Sequence, residues 1–347
     1  MEEYFLSRAF GSKDSLGRHF QEDSFGFNSA NPFSYDLFKI TNSLAFKRLR
    51  NKTQVIFPAG DYHQTRLSHS LETAVNGSLV ANRLGLNESL VYAMMMAHDI
   101  GHVPFGHFGE KFLSLKLKEH FRHENFGVFL VQEIEPLNLS YEILDFIPYH
   151  SRGPNELAIS NNVPLCFNIG MYVDKISYTI SDSFDIFSSN ILKVFPPPSF
   201  LYLGKNRAER LKNCLEALCA ESIEKGIISF LDSEVAKNFL DLRDFMYSQV
   251  YSKLDEIRED TQGKPLEKIY QLFRSYDFPT RKAVLTIALM TENEILQILD
   301  DNLLYGKTLT SNKFFNNGYN ISKLLPIIEK KYLTDFLDPD LSWAKKS

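Results

Sequence analysis

Histidine is crowded into the first half of this chain. All nine histidines lie at or before residue 150, and eight of them fall between His63 and His150. An imidazole can bind a metal ion, and it can accept or donate a proton near neutral pH. Crowding of this kind indicates a site for metal binding or proton transfer rather than a scatter of unrelated side chains.

Two of these histidines and two aspartates stand in strongly apolar surroundings. They are His69 in TRLSHSLE, His98 and Asp99 after ESLVYAMMMA, and Asp174 in MYVDKISYTI. Burying such groups costs free energy unless each one is hydrogen-bonded, paired or bound to a metal ion. We therefore predict that these four side chains hold a divalent metal ion.

The donor set does not identify the metal, because mixed nitrogen and oxygen ligands suit Mn, Fe, Zn, Ni or Mg. Four protein ligands on a six-coordinate ion would leave positions for water and substrate, which favours hydrolysis. Two simpler interpretations stay open. His69 would be a core histidine bonded to a backbone carbonyl, and Asp174 would form a buried ion pair with a lysine or arginine.

The segment GHVPFGHFGE, which follows the His-Asp pair, presents His102, His107 and Glu110. Its glycines permit sharp turns, and we predict a new helix near Gly109, where a helix N-terminus favours anions. Glu110 follows His107 by three residues, close enough to orient the imidazole and raise its basicity. His107 would then be a general base or a donor to a phosphate oxygen. The alternative is that the pair only caps the helix.

Three further histidines and a glutamate are candidates for the same site. The segment FRHENF adds His123 and Glu124, and either side chain is able to approach the cavity. His63 and His150 lie in loop-like segments, and we favour structural roles for both. Spacing alone does not place any of them relative to His107.

The elements that must position these residues are predicted to be helices. Apolar residues recur at steps of three and four from about Asp36 onwards, and strand patterns are weak throughout. Helices over 88–99 and 165–190 are expected in the core. In the helix over 65–84 we expect one buried stripe, formed by Leu67, Leu71, Ala74, Val75 and Leu79.

The run of three prolines at 196–198 marks the clearest boundary in the chain. The sequence predicts an all-α protein with a loop-rich N-terminal arm (1–35), a helical core (36–195) and a C-terminal helical subdomain (199–347) packed on that core. Helices of the last part are predicted at 205–225, 232–258, 264–275, 279–290 and 292–303.

Composition limits the function classes. The chain has 347 residues and a net charge of −5, which leaves no basic footprint for duplex nucleic acid. Cys166, Cys214 and Cys219 form no CxxC pair, which is typical of buried thiols in a reducing compartment. Neither a signal peptide nor an apolar run of membrane-spanning length is evident, so we expect a cytoplasmic protein without a membrane partner.

Five segments between residues 36 and 185 resemble, in order and spacing, the HD-domain deoxynucleoside triphosphate triphosphohydrolases. That family includes the bacterial dGTPases and the vertebrate dNTPase restriction factor. The segments are FKRLRNKTQV, TRLSHSLE, AHDIGHVPFGHFGE, FRHENF and VDKISYTISD, and LRDFMYSQVYSK (242–253) extends the match weakly. The form GHxPFGHxGE is the most specific part.

The resemblance implies an all-α HD-domain fold with a C-terminal helical extension, and cleavage of a dNTP to the deoxynucleoside and inorganic triphosphate. It also implies a divalent metal, dGTP among the substrates, and a homo-oligomer. By position, the metal ligands of the family fall on His69, His98, Asp99 and Asp174. The catalytic histidine and its acidic partner fall on His107 and Glu110, and the histidines near the α-phosphate fall on His102 and His123.

The resemblance also implies the residues that bind substrate. Arg66 and Lys175 match phosphate-binding residues, which would offset the charge of a triphosphate. Gln54 and Asp182 match groups that read the sugar 3′-hydroxyl, and Tyr178 matches a tyrosine that lines the site. Candidates for the arginine and tyrosine that the family carries further along the chain are Arg243, Tyr247 and Tyr251.

Three other functions stay open at this point. The first is an HD phosphohydrolase for another nucleotide, such as a deoxynucleoside monophosphate or a cyclic dinucleotide. The second is a dNTP-binding regulator without catalysis, which is disfavoured by the complete set of metal ligands and the His107–Glu110 pair. A single-stranded nucleic-acid binder is disfavoured by the acidic balance of the chain.

Overall fold

The computed structural model describes residues 15–22, 31–58, 60, 62–151, 163–189, 191–304 and 320–339. The secondary-structure elements named in these ranges are all helices, so the predicted all-α class is confirmed. None of the described helices combines the length and the apolar character that a membrane crossing requires.

One strongly apolar helix lies among the helices of the first part. These helices are α1 (Pro32–Asn42), α2 (Leu44–Arg48), α3 (Arg66–Arg83), α4 (Glu88–Ala97), α5 (Gly106–Leu117), α6 (His123–Phe129), α7 (Tyr141–Tyr149) and α8 (Leu165–Ser189). Almost all of α4 is buried, and it packs against α1, α3, α7 and α8. This central position brings the His-Asp pair at the end of α4 into the interior.

The helices of the second part pack on the first. They are α9 (Pro198–Tyr202), α10 (Arg207–Lys225), α11 (Glu234–Phe245), α12 (Ser252–Arg258), α13 (Lys264–Ser275), α14 (Thr280–Leu289), α15 (Glu292–Leu304) and α16 (Asn320–Lys331). The π-helical segments Met246–Tyr251 and Glu259–Gly263 join α11, α12 and α13. Contacts of α10 with α8 and of α14 with α5 extend the apolar core into this part. The division into three domains stays a prediction.

The first described helix begins earlier than expected. It starts at Pro32 instead of near Asp36, so the end of the predicted loop-rich arm is helical. The Asn31 side chain accepts hydrogen bonds from the backbone N–H groups of Phe33 and Ser34, and Pro32 occupies the first helical position. Residues 1–14 and 23–30 of that arm lie outside the described residues.

α3 turns a different face to the core from the predicted one. Leu71, Val75 and Leu79 are exposed, which makes the prediction of a buried stripe at these positions wrong. At Gly77 an added Cβ would lie 2.8 Å from Cγ1 of Val91 on α4, so the two helices approach closely. Large side chains on this face would hold α3 away from α4. The buried face instead includes His69, Ser70, Thr73, Ala74 and Gly77.

α5 begins at Gly106, three residues before the predicted start. Phe105 and Gly106 both adopt positive φ angles, 65° and 55°, and this turn directs the chain into the helix. His107 therefore lies in the first turn of α5. Glu110 lies one turn further along the same helix.

We expect Gly170→Ala to destabilise the protein. An added Cβ at Gly170 in α8 would lie 2.3 Å from Cζ of Phe146 in α7. Helix propensity favours alanine by about 1 kcal/mol, but overpacking a core costs about 1–3 kcal/mol. Urea unfolding should show a lower midpoint. Asp241→Ala, on the exposed side of α11, should change the unfolding free energy by less than about 0.5 kcal/mol. A midpoint for Gly170→Ala at or above that of the parent would contradict this packing.

Candidate active site

The predicted site residues meet at one cavity of about 580 Å³. Its walls come from α3, α5, α6, α8 and the π-helical segment Met246–Tyr251. The predicted residues that line it are Gln54, Arg66, His69, Asp99, His102, His107, Glu110, His123, Asp174, Lys175, Tyr178 and Asp182. His98 is fully buried beside them.

The four predicted metal ligands converge from three helices. His69 Nε2 lies 3.0 Å from Asp174 Oδ1, and His98 Nε2 lies 3.4 Å from both Asp174 Oδ1 and Asp99 Oδ1. Thr65 caps α3 and places His69 in its first turns, while α4 ends just before the other pair. Asp174 reaches the cluster from the middle of α8, more than seventy residues further along the chain.

This cluster fits a divalent cation. His98 Nδ1 donates to the carbonyl of Met95 at 2.6 Å, so His98 Nε2 carries the lone pair. That nitrogen is buried and has no hydrogen-bond partner among the described residues, as expected of a nitrogen that binds a metal ion. Burial alone would raise the pKa of Asp174, but the hydrogen bond with His69 and the nearby His98 ring hold it well below its usual range. A charged carboxylate is the form that binds metal.

Arg66 forms an ion pair with Asp99. Its NH1 donates to Asp99 Oδ2 at 3.0 Å, and both side chains are buried. Burial would raise the pKa of Asp99, but the charges of His98, His102 and Arg66 keep it well below the usual value. Arg66 is therefore the ion-pair partner of a predicted metal ligand, and it also lines the cavity.

Glu110 lies close to three imidazoles. Its Oε1 lies 3.1 Å from His107 Nδ1, 3.0 Å from His123 Nδ1 and 3.4 Å from His102 Nδ1. His107 is 68% exposed at the mouth of the cavity, whereas His102 and His123 are buried below it. Burial would raise the pKa of Glu110, yet His123 and His107 lower it well below the usual value. The carboxylate thus stays charged and accepts a hydrogen bond from His123 Nδ1, whereas His102 Nδ1 has no hydrogen-bond partner among the described residues.

The glycines of the GHVPFGHFGE segment are required by close backbone contacts. An added Cβ at Gly101 would lie 2.1 Å from the carbonyl oxygen of His123, and one at Gly109 would lie 2.0 Å from the carbonyl oxygen of Pro104. The first contact brings α6, with His123, against the loop that carries His102. The second folds the loop tightly onto the first turn of α5.

The far end of the cavity is lined by aromatic residues and a carboxylate. Tyr251 donates to Asp182 Oδ2 at 2.8 Å, and the hydroxyl groups of Tyr178 and Tyr247 lie 3.1 Å apart. Burial raises the pKa of Asp182 to about 6, although the Tyr251 hydrogen bond lowers it in part. Gln54 also lines the cavity, and its Oε1 is buried without a hydrogen-bond partner among the described residues.

Lys175 and Arg243 are two further candidate residues, and only the first of them lines the cavity. Lys175 follows Asp174 on α8, is buried, and lines the cavity. Arg243 is buried with its guanidinium 5.3 Å from the centre of the Tyr247 ring, but it does not line the cavity. Tyr247 and Tyr251 line it directly.

The structure places His150 at the cavity, although its segment is loop-like in the sequence and sequence analysis favours a structural role. This residue is buried, lines the cavity, and lies 3.3 Å from His123 through their Nε2 atoms. Burial and the charges of His98 and His123 lower the pKa of His150 to about 4. The helical spacing in YEILDFIPYH contained the signal, because residue 150 follows the buried Ile143 and Ile147 on one face of α7. His63 instead accepts a hydrogen bond from the backbone of Gly60.

Glu292 is a second residue that sequence analysis did not identify. Its Oε1 accepts hydrogen bonds from the backbone N–H and hydroxyl of Thr53 and from the backbone N–H of Phe105, each at 3.0 Å. These bonds connect α15 to the segments that carry Gln54 and His107. The residues TENE at the start of α15 are typical of a helix cap, so no functional signal was present.

Comparison with known proteins agrees with this architecture. The family model described as HD domain matches residues 66–174. A deoxyguanosinetriphosphate triphosphohydrolase-like protein of Clostridium tetani is 34% identical over 277 residues, which covers 76% of this chain and 78% of that protein. Proteins with the same description from Caldanaerobacter subterraneus and Clostridium perfringens are 33% and 32% identical, and each match covers 76% of this chain and 76% or 79% of the relative.

The extent of these matches establishes the family. The matched HD region begins at Arg66 and ends at Asp174, so it contains the whole predicted set of metal ligands. The relatives extend the similarity over three quarters of the chain. The chain belongs to the HD-domain family of deoxyguanosinetriphosphate triphosphohydrolase-like proteins.

Proposed function

We propose that this protein hydrolyses deoxynucleoside triphosphates, dGTP among them, to the deoxynucleoside and inorganic triphosphate. The observation that carries the proposal is the single cavity in which a His–Asp metal cluster, a His–Glu pair and two buried cationic side chains meet. Relatives described as triphosphohydrolase-like support the substrate class. In this reaction water adds to the α-phosphorus, the bond from phosphorus to the 5′-oxygen breaks, and that oxygen leaves with a proton.

A divalent metal would be held by His69, His98, Asp99 and Asp174. When bound, it supplies Lewis-acid stabilisation of the charge on the phosphate oxygens. Mn, Mg, Fe, Ni and Zn all accept this mixture of nitrogen and oxygen donors, so the ligands leave the identity open.

His107 and Glu110 would carry out the proton transfer. Glu110 is buried and charged, and its Oε1 lies 3.1 Å from His107 Nδ1, so the other ring nitrogen is left for exchange of a proton with water or substrate. The exposed position of His107 at the mouth lets its ring meet a bound nucleotide. Arg66 and Lys175 would offset the charge of the triphosphate.

Asp182 and Gln54 would bind the sugar through its 3′-hydroxyl. Asp182 Oδ1 is buried and has no hydrogen-bond partner among the described residues, while Oδ2 is held by Tyr251. Gln54 Oε1 is likewise buried and unpaired in that part of the chain. Such acceptors are costly to leave unpaired. The 3′-hydroxyl would donate its one proton to Asp182 Oδ1, and its oxygen would accept a hydrogen bond from the side-chain amide of Gln54.

Product analysis tests the reaction. With Mn or Mg, we expect purified protein to convert dGTP to deoxyguanosine and triphosphate, in equal amounts, as resolved by ion-exchange chromatography. All four dNTPs should be compared, each with and without a second nucleotide as activator. Release of pyrophosphate or orthophosphate without triphosphate would refute the proposed bond cleavage.

Asp182→Asn should weaken recognition of the 3′-hydroxyl. A hydrogen bond to a charged acceptor contributes about 1.5–3 kcal/mol, so we expect kcat/KM for dGTP to fall roughly 10- to 150-fold. The 2′,3′-dideoxy analogue lacks that hydroxyl, and its kcat/KM should change much less. An equal loss for both nucleotides would show that Asp182 acts without reading the 3′-hydroxyl. Asp241→Ala, on the surface of α11, is the control.

The predicted homo-oligomer is part of the same proposal. The exposed row of Leu71, Val75 and Leu79 on α3 provides an apolar surface that another protein chain would cover. Light scattering of the purified protein measures the assembly, which stays a prediction here.

A further inference from the structure

The turn that begins α5 has a costly backbone conformation at a residue other than glycine. Phe105 has a φ of 65°, in the left-handed region. A residue with a Cβ rarely adopts this conformation, which persists only where surrounding contacts hold it. Gly106 follows with a φ of 55°, and no side chain caps the start of α5. The position of His107, the next residue, therefore depends on the contacts that hold Phe105.

Glu292 at the start of α15 provides one of these contacts. Its Oε1 accepts a hydrogen bond from the backbone N–H of Phe105 at 3.0 Å, and the carbonyl of Phe105 accepts one from the N–H of Gly109 at 3.3 Å. The backbone of Phe105 is thus held on one side by α15 and on the other by α5. Because Phe105 and Glu292 are both buried, loss of the carboxylate would leave the N–H of Phe105 without a partner.

The same carboxylate oxygen holds a second segment that contacts the loop before α5. The backbone N–H and the hydroxyl of Thr53 both donate to Glu292 Oε1 at 3.0 Å. Lys52, the preceding residue, is buried and donates from Nζ to the carbonyl of His102. Burial raises the pKa of Glu292, and its hydrogen bonds and the charge of Lys52 oppose that rise. The loop is therefore held at its carbonyl side by Lys52 and at its N–H side by Glu292.

We propose that Glu292 is a positioning residue for the reaction and that it acts on His107 through the backbone of Phe105. Glu292 does not line the cavity, so it acts without touching the substrate. It fixes the turn from which α5 starts, and that turn sets where His107 meets Glu110. This inference rests on the proposed role of His107 in nucleotide cleavage, and it adds a residue from the second part of the chain.

A double-mutant cycle with His107 tests this role. We expect Glu292→Ala to lower kcat for the preferred dNTP roughly tenfold, because the imidazole is no longer held in place. In the His107→Ala protein the same substitution should change kcat less than about twofold, since the group that Glu292 positions is absent. Glu292→Gln should recover most of the kcat, because its amide oxygen still accepts the N–H of Phe105.

Glu292→Asp is a second variant with the same expected loss, in case Glu292→Ala does not fold. Its side chain keeps the charge but is too short to reach both Thr53 and Phe105. Circular dichroism verifies that each variant is helical.

Hydrogen exchange gives a readout that does not need activity. The backbone amides of residues 102–110 should exchange faster in Glu292→Ala than in the parent protein, as measured by mass spectrometry after pepsin digestion. Glu221→Ala is the matched control, because Glu221 is also buried and accepts backbone N–H groups of a loop, those of Leu231 and Ser233, outside the cavity. It should change neither kcat nor exchange in residues 102–110.

An equal fractional loss of kcat with and without His107 would overturn the positioning role, because it would show a general loss of structure. An unchanged kcat in folded Glu292→Ala would also overturn it, and so would a Glu292→Gln protein as slow as Glu292→Ala. Unchanged exchange in residues 102–110 would contradict the contact itself. A parent protein that releases no triphosphate would refute the proposed function instead, and product analysis detects that separately.

Discussion

The arrangement of this site depends on compensating the charge of one buried carboxylate, that of Asp99. Asp99 closely follows α4, an apolar and largely buried helix, and an unpaired charge there would cost several kcal/mol. Arg66 binds one of its oxygens, and the other oxygen is close to His98 and His102. These contacts bring together α3, the end of α4 and the loop that leads to α5. A metal ion would add to this compensation, so the same groups that stabilise the fold prepare the site for catalysis.

The cavity has two chemically different ends. Imidazoles and carboxylates crowd the end near Asp99, whereas tyrosines and Asp182 line the end near the π-helical segment Met246–Tyr251. The first end suits phosphate groups with metal, and the second suits a sugar hydroxyl. This polarity agrees with the proposed nucleoside triphosphate substrate, which has both parts.

The second part of the chain completes the cavity. Tyr251 lies against Asp182, and Glu292 holds the backbone of Thr53 and Phe105. Because these contacts join residues up to 239 positions apart, removal of the helices beyond 199 would alter the segments that carry Gln54 and His107. The HD region alone therefore does not account for the geometry of the site.

The sequence by itself determined the helical class, because apolar periodicity expresses it locally. Polar residues in apolar surroundings also predicted which side chains would meet at the site, and their roles stay predictions. The tertiary structure decided which face of α3 is buried, the entry of His150 into the cavity and the role of Glu292. Periodicity shows which side chains share a helix face, but it does not show which neighbour that face meets. At Gly77 the close approach of α4 selects small residues, and Leu71, Val75 and Leu79 turn outward as a result.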